Sequence, residues 1–210
     1  MDETTIQISG LSKSYAGKKV IDNISLTVSS GEVYGLLGAN GAGKSTTIEC
    51  ILGTRKADAG QIRILGLDPH KDRKPIFEQV GVQFQESNYP DKIRVKELCE
   101  ETACLYRQPT EYEPLLSRFG LAERKNAFVT ELSGGQKQKL FIILALIADP
   151  KVVFLDELTT GLDTKARRNV WKSLLELKEQ GLTIFLSSHF MDEVEMLCDR
   201  ISILRDSRFV

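Results

Sequence analysis

Apolar and polar residues alternate along Thr4 to Ser9 and again along Val20 to Val28, the pattern of strands in a sheet with one solvated face. The stretch between them, Ser12 to Lys19, reads as a turn carrying one aromatic, Tyr15. Val33 to Leu37 is continuously apolar, a buried strand entered through the tight turn Ser30-Gly31-Glu32, and Ser45 to Leu52 after it has helical character. Gly53 to Gly60 reads as loop, Gln61 to Leu65 as a strand, and Val80 to Gln85 as a short strand whose last residue is polar. From Val95 to about Phe119 the period turns helical, with Pro109 and Pro114 as interruptions. A second helical block opens at Ser133-Gly134-Gly135 and carries the apolar run Leu140 to Ala148, too continuous for a surface helix. Lys151 to Glu157 is a buried-strand pattern ending in two carboxylates. Thr164 to Gln180 places Val170, Trp171, Leu174, Leu175 and Leu177 at helical spacing, and Gly181 stops it. Thr183 to Leu186, Phe190 to Leu197 and Ile201 to Leu204 read as strand, helix and strand. Strands and helices in alternation predict an α/β fold with a mainly parallel core sheet, half-solvated antiparallel strands near the N-terminus, and a middle third that is almost all helix.

Composition narrows this little but excludes much. The 210 residues, 41% apolar, suffice for one large domain or two small ones. Lys and Arg number 28 against 29 Asp and Glu, so no basic excess announces a nucleic-acid surface, and no nucleic-acid partner is expected. Met1-Asp2-Glu3 opens no signal pattern, and Leu140 to Ala148 is about half the length of a membrane span, so the chain is expected to be soluble by itself. The cysteines form no C-x-x-C pair. Cys50, Cys104 and Cys198 lie among apolar residues and, with Cys99, are expected to be free thiols in a reducing cytoplasm, the first three buried.

Candidate chemistry centres on Gly38-Ala39-Asn40-Gly41-Ala42-Gly43-Lys44-Ser45, two glycines with four residues between them followed by Lys and Ser, between a strand and a helix. A Gly-rich turn lets backbone N–H groups close around phosphate oxygens, and the helix beyond it, through Ser45 and Thr46, turns its positive end toward the same charge. Lys44 would meet the β and γ phosphates and the Ser45 hydroxyl would ligate Mg²⁺. Asp156 stands after four apolar residues at a strand end, where it would hold the same Mg²⁺. The next carboxylate, Glu157, would orient and polarise the attacking water. Leu132-Ser133-Gly134-Gly135-Gln136 begins a helix with a capping residue and two bare glycines, a second anion-type helix end that a second copy of the chain could use.

With these motifs in order, nearly the whole chain resembles the nucleotide-binding domain of ABC (ATP-binding cassette) proteins. The resemblance implies a P-loop NTPase core over 1–85 and 149–210, with an antiparallel β subdomain, and an inserted helical signature subdomain over about 86–148. It implies that Tyr15 stacks on adenine and that Gln85 contacts Mg²⁺ or the water and reports nucleotide state to a partner. His189 would touch the γ-phosphate. Ser133, Gly134, Gly135 and Gln136 would contact the γ-phosphate held by an opposite subunit, with Asp163 of Gly161-Leu162-Asp163 at the seam. Two departures stand out. Leu158 replaces the Pro usual after the catalytic Glu, which leaves the backbone there less constrained, and Asp206-Ser207-Arg208 replaces a Gly-containing turn. A C-terminal regulatory extension is either absent or lies beyond Val210.

The stretch Asp192 to Ile201 is similar to the ATPase subunits of bacterial ABC-2-type exporters. The implied protein is an ATP-hydrolysing subunit at the cytoplasmic face of the membrane, peripheral through a separate membrane-spanning permease and paired as homodimer or heterodimer. A short helix of that permease would enter an apolar groove formed by Phe84, Tyr89 and Ile93 beside Gln85. The alternative is a soluble ABC ATPase of DNA maintenance or translation; the absence of a heptad run between Lys44 and Ser133, and of a second cassette, argues against it.

Overall fold

A computed structural model describes residues 3–83 and 89–210; Phe84 and Gln85 therefore lie outside the described residues. The chain opens with β1 (Thr4–Tyr15) and β2 (Lys18–Ser29), joined at Ala16-Gly17, both with positive φ, the turn that suits a twisted two-residue hairpin. The first strand thus runs on to Tyr15, past the expected turn. Ser12 to Tyr15 is polar, so alternation does not mark it; pairing with β2 and the Asp58 carboxylate, which accepts from Ser14 N and Lys13 Nζ, holds it extended. Then come β3 (Val33–Leu37), α1 (Lys44–Ile51), β4 (Ala59–Ile64), α2 (Arg73–Phe77) and β5 (Val80–Gln83).

The middle of the chain forms α3 (Val95–Ala103), α4 (Tyr112–Arg118) and α5 (Gly134–Leu146), with short 3₁₀ turns between α4 and α5. Pro114 does not interrupt a helix: it occupies the first turn of α4, where an N–H would have no intrahelical acceptor. Leu140 to Ala148 is buried except for half-buried Leu144, as its continuity predicts. The rest is β6 (Val152–Asp156), α6 (Thr164–Glu179), β7 (Thr183–Ser188), α7 (Met191–Leu197), β8 (Arg200–Arg205) and β9 (Arg208–Phe209). Gly181, at φ 93, ends α6, with Leu182 N reaching back to Leu177 O at 3.2 Å.

The strands form a three-stranded antiparallel sheet, β2-β1-β4, and a six-stranded sheet, β5-β6-β7-β3-β8-β9, parallel except for its last pair. Register sorts the large sheet's two faces. Tyr34, Phe185 and Phe154 are direct partners across β3, β7 and β6, with ring centres 5.6 and 5.4 Å apart, and pack with Ile48, Ile51 and the small sheet. Val153, Leu155, Ile184 and Leu186 face the other way, against α5, α6 and the helical middle. Ile93, expected in a surface groove, is buried in this second core, and half-buried Tyr89 packs on Phe141 with ring centres 5.5 Å apart. Among the cysteines, Cys50 and Cys99 are buried and Cys198 is half-buried. Cys104, expected inside, is exposed, because the helix ends there.

Candidate active site

Parallel register brings the C-terminal ends of three strands level. Leu37 of β3 pairs with Ser188 of β7, and Asp156 of β6 pairs with Ser187, so the phosphate-type loop, the two carboxylates and His189 leave the sheet side by side. Gly38 N donates to Ser188 O at 3.2 Å, which fixes the start of the loop against β7. Gly43 sits at φ 107, and a Cβ there would come 2.9 Å from Val20 O, so only glycine brings the loop onto β2. Its carbonyl then accepts from Thr47 N and Thr47 Oγ1, both at 2.8 Å, which starts α1.

Lys44 is buried and curls back over its own loop. Its Nζ donates to Gly38 O at 2.9 Å and Ala39 O at 3.2 Å, and lies 3.1 Å from Glu157 Oε1. Asp156 is buried, one carboxylate oxygen accepting from the Ser187 hydroxyl. Glu157 stands at φ 50, a left-handed conformation that costs a non-glycine residue about 1–2 kcal/mol. Its N–H bonds both Ser187 O at 3.2 Å and Ser187 Oγ at 3.1 Å, so one serine fixes both acids. Leu158, in place of a ring constraint, anchors this turn by complete burial. The same Oε1 of Glu157 lies 3.6 Å from His189 Nδ1, and Thr160 Oγ1 reaches Oε2 at 3.5 Å.

A cavity of about 360 Å³ joins the loop to the antiparallel sheet, lined by Tyr15, Val20, Asn40, Gly41, Gly43, Lys44, Ser45, Thr46 and Glu157. Tyr15 is partly exposed beside Lys13 Nζ and Arg55 Cζ, each 5.5 Å from its ring centre. Those two cations, which the sequence reading passed over, give the aromatic wall a positive flank.

The remaining expected site residues are placed elsewhere. Ser133 caps α5 and forms a capping box with Gln136: Gln136 N donates to Ser133 Oγ at 3.3 Å and Ser133 N to Gln136 Oε1 at 3.0 Å. Gly134 is open around its Cα, whereas a Cβ on Gly135 would lie 3.2 Å from Leu162 Cδ2. Asp163 caps α6, its Oδ1 accepting from Ala166 N at 2.8 Å. None of Ser133, Gly134, Gly135, Gln136 and Asp163 lines the cavity at the phosphate-type loop. Gln85 lies outside the described residues.

The sequence pattern of the ABC transporter family matches residues 21–160. Nod factor export ATP-binding protein I of Rhizobium johnstonii is 40% identical over 213 aligned positions, covering 99% of this chain and 68% of that protein. Its counterpart in Mesorhizobium japonicum is 41% identical over 208 positions, covering 97% of this chain and 61% of its own length. Among solved structures, an ATP-binding subunit of an ABC transporter superposes with TM-score 0.88 at 31% identity, covering 98% of this chain and 88% of that one. An ATP-binding cassette of an ABC transporter in its ADP conformation gives TM-score 0.85 at 25% identity over 99% and 89% of the two chains. On this sequence match, fold and strand-end site, the chain belongs to the ABC transporter family as one of its ATP-binding, ATP-hydrolysing subunits.

Proposed function

We propose that the chain is the ATPase subunit of an exporter, closing head to tail with a second nucleotide-binding subunit around ATP beneath a membrane-spanning permease. The observation that carries this reading is the split of the site. Lys44, Asp156, Glu157 and His189 converge at the C-terminal ends of β3, β6 and β7, while the Ser133–Gln136 helix end does not line the cavity at Lys44 and Glu157. An opposed copy would bring that helix end to the γ-phosphate, with the two Asp163 turns at the seam. The 1–85 and 149–210 portions then act as the nucleotide-binding core, and 86–148 as the arm that presents the signature. Export is what the names of its relatives, Nod factor export ATP-binding proteins, state for them, and we extend it to this chain. No described helix is long and apolar enough to cross a membrane, in keeping with attachment at the cytoplasmic face through the permease.

The geometry supports a role for each described residue. Tyr15 stacks on the adenine, and the amides from Asn40 through Thr46 with Lys44 cradle the phosphates. Ser45 and Asp156 are hard oxygen donors that suit Mg²⁺, few enough to leave positions for phosphate oxygens and water, and Gln85 would join them. Mg²⁺, when bound, neutralises charge that develops on the β and γ oxygens. Glu157 accepts a proton from the attacking water, His189 holds the γ-phosphate side, and closure strengthens each contact by excluding water. The test is purification of tagged Glu157→Gln protein from detergent-solubilised source cells with ATP present. Copurification of a polytopic membrane protein is expected; recovery of soluble partners alone would overturn the exporter reading.

A further inference from the structure

We propose that Glu193 is a positioning residue: it ties the helix that begins at Asp163 to the His189 turn and so holds His189 in register with Glu157. Glu193 lies on α7 and is fully buried. Its Oε1 accepts from Trp171 Nε1 of α6 at 3.1 Å, and its Oε2 from Ser188 Oγ at 2.6 Å. No ion pair among the described residues reaches it, although a buried carboxylate without a counter-charge is among the most expensive groups to place in a core. A neutral or apolar residue would serve packing better.

What the carboxylate touches gives it a use. Ser188 is the residue before His189, and its carbonyl and hydroxyl are both engaged. Its carbonyl accepts from Gly38 N of the phosphate loop, and its hydroxyl also accepts from Phe190 N at 3.0 Å. The turn that carries His189 is thus gripped by the phosphate loop on one side and by Glu193 on the other. A second contact runs parallel. Arg167 of α6 packs over the Phe190 ring, its guanidinium carbon 4.3 Å from the ring centre, and Phe190 in turn packs against the His189 ring at 4.0 Å. Because α6 starts at the Asp163 cap, displacement of that turn by an opposed subunit reaches His189 through rigid, hydrogen-bonded groups.

The inference rests on the proposed role of His189, and the tests separate the two. Trp171 is the chain's single tryptophan, so the chain's indole emission comes from the ring that donates to the Glu193 carboxylate. In the purified full-length chain, saturating ATP with Mg²⁺ should change Trp171 emission, and His189→Ala should abolish that change while ATP still binds. An emission that does not respond in the unaltered chain, or responds undiminished in His189→Ala, overturns the proposal.

Kinetics supply the second arm. Glu193→Gln should lower kcat by about tenfold with KM for ATP within about twofold, the pattern of a displaced catalytic group. Placed in the His189→Ala background it should add less than about twofold, because both changes act through one group. Additive losses would make Glu193 a structural residue and overturn the proposal while leaving His189 in its role. An unaffected kcat in His189→Ala would remove His189 from the reaction and the proposal with it. Should Glu193→Gln fail to fold, Trp171→Phe removes one donor from the same carboxylate, and the same kinetic outcomes decide.

Discussion

Lys44 Nζ and Glu157 Oε1 lie 3.1 Å apart, both side chains buried, so the proposed phosphate-binding cation and the proposed base form one ion pair. Each is also held elsewhere, Lys44 by two loop carbonyls and Glu157 through its backbone by Ser187. A γ-phosphate that engages Lys44 would compete with this carboxylate and the two carbonyls for one ammonium. The two groups are therefore linked in the chain without nucleotide.

Replacing Glu157 with Gln removes the competing charge and the base together. ATP should bind at least as tightly as before, because Lys44 no longer exchanges a carboxylate for a phosphate. Hydrolysis should fall by roughly 10² or more. Equilibrium binding of ATP and single-turnover hydrolysis check the two halves separately; near-unaltered turnover would remove Glu157 from the base role.

Lys44→Ala should abolish binding and hydrolysis together. It removes the only ammonium among the described cavity-lining side chains and takes away the cation 3.1 Å from the buried Glu157 carboxylate. Loss of one partner of a buried pair costs about 3–5 kcal/mol, so the variant should also melt earlier. A thermal melt beside an ATP titration reads both effects, and tight residual ATP binding would contradict the phosphate-loop assignment.

Tyr15 gives a milder test of nucleotide recognition. It lines the cavity between Lys13 and Arg55, and a base that stacks there needs the ring and not the hydroxyl. Tyr15→Phe should bind ATP within about twofold of the unaltered chain, and Tyr15→Ala should bind about tenfold more weakly, as loss of one stacking platform predicts. Equal affinities for all three would place adenine elsewhere.

What could be read from the sequence, and what could not, follows one physical division. Continuous apolar runs ending in chemistry, Val33 to Gly38 and Val152 to Glu157, were legible because a strand buried on both faces has no polar positions to blur it. The extension of β1 to Tyr15 was hidden, since its support comes from Asp58, far along the chain. Glu193 was hidden for a similar reason. Between Asp192 and Glu195 it reads as part of a solvated acidic face, and only Trp171 and Ser188, supplied by other elements, reveal it as interior. Ser187, which fixes both Asp156 and Glu157, had no signal of its own beyond standing at the end of an apolar strand.

The thiols should separate by burial. Burial pushes the Cys50 thiol up to about 11, and those of Cys99 and Cys198 up to about 12, so none is a thiolate near neutral pH. Cys104 alone is exposed. Near neutral pH a thiol reagent should label Cys104 first in the folded chain and the others only on unfolding. Mass mapping of the labelled peptides decides, and early labelling of Cys99 would contradict its place in the helical core.

Gly134 separates folding from assembly. A Cβ added to it meets nothing within 4 Å, while one on Gly135 beside it would sit 3.2 Å from Leu162 Cδ2. Gly134→Ala should therefore leave the isolated fold intact and even favour the first turn of α5, since Gly to Ala in a helix gains roughly 0.5–1 kcal/mol. Any loss of function from it must arise outside the chain's own packing, where an opposed subunit's γ-phosphate would approach the bare helix end. Gly135→Ala pushes on Leu162 and through it on the Asp163 turn, so it should disturb both packing and assembly. The measurement is ATP-dependent dimerisation of each variant in a Glu157→Gln background, read by light scattering beside a thermal melt. Weakened dimerisation of Gly134→Ala with an undiminished melting temperature would place the signature at the seam; unaltered dimerisation would remove Gly134 from it.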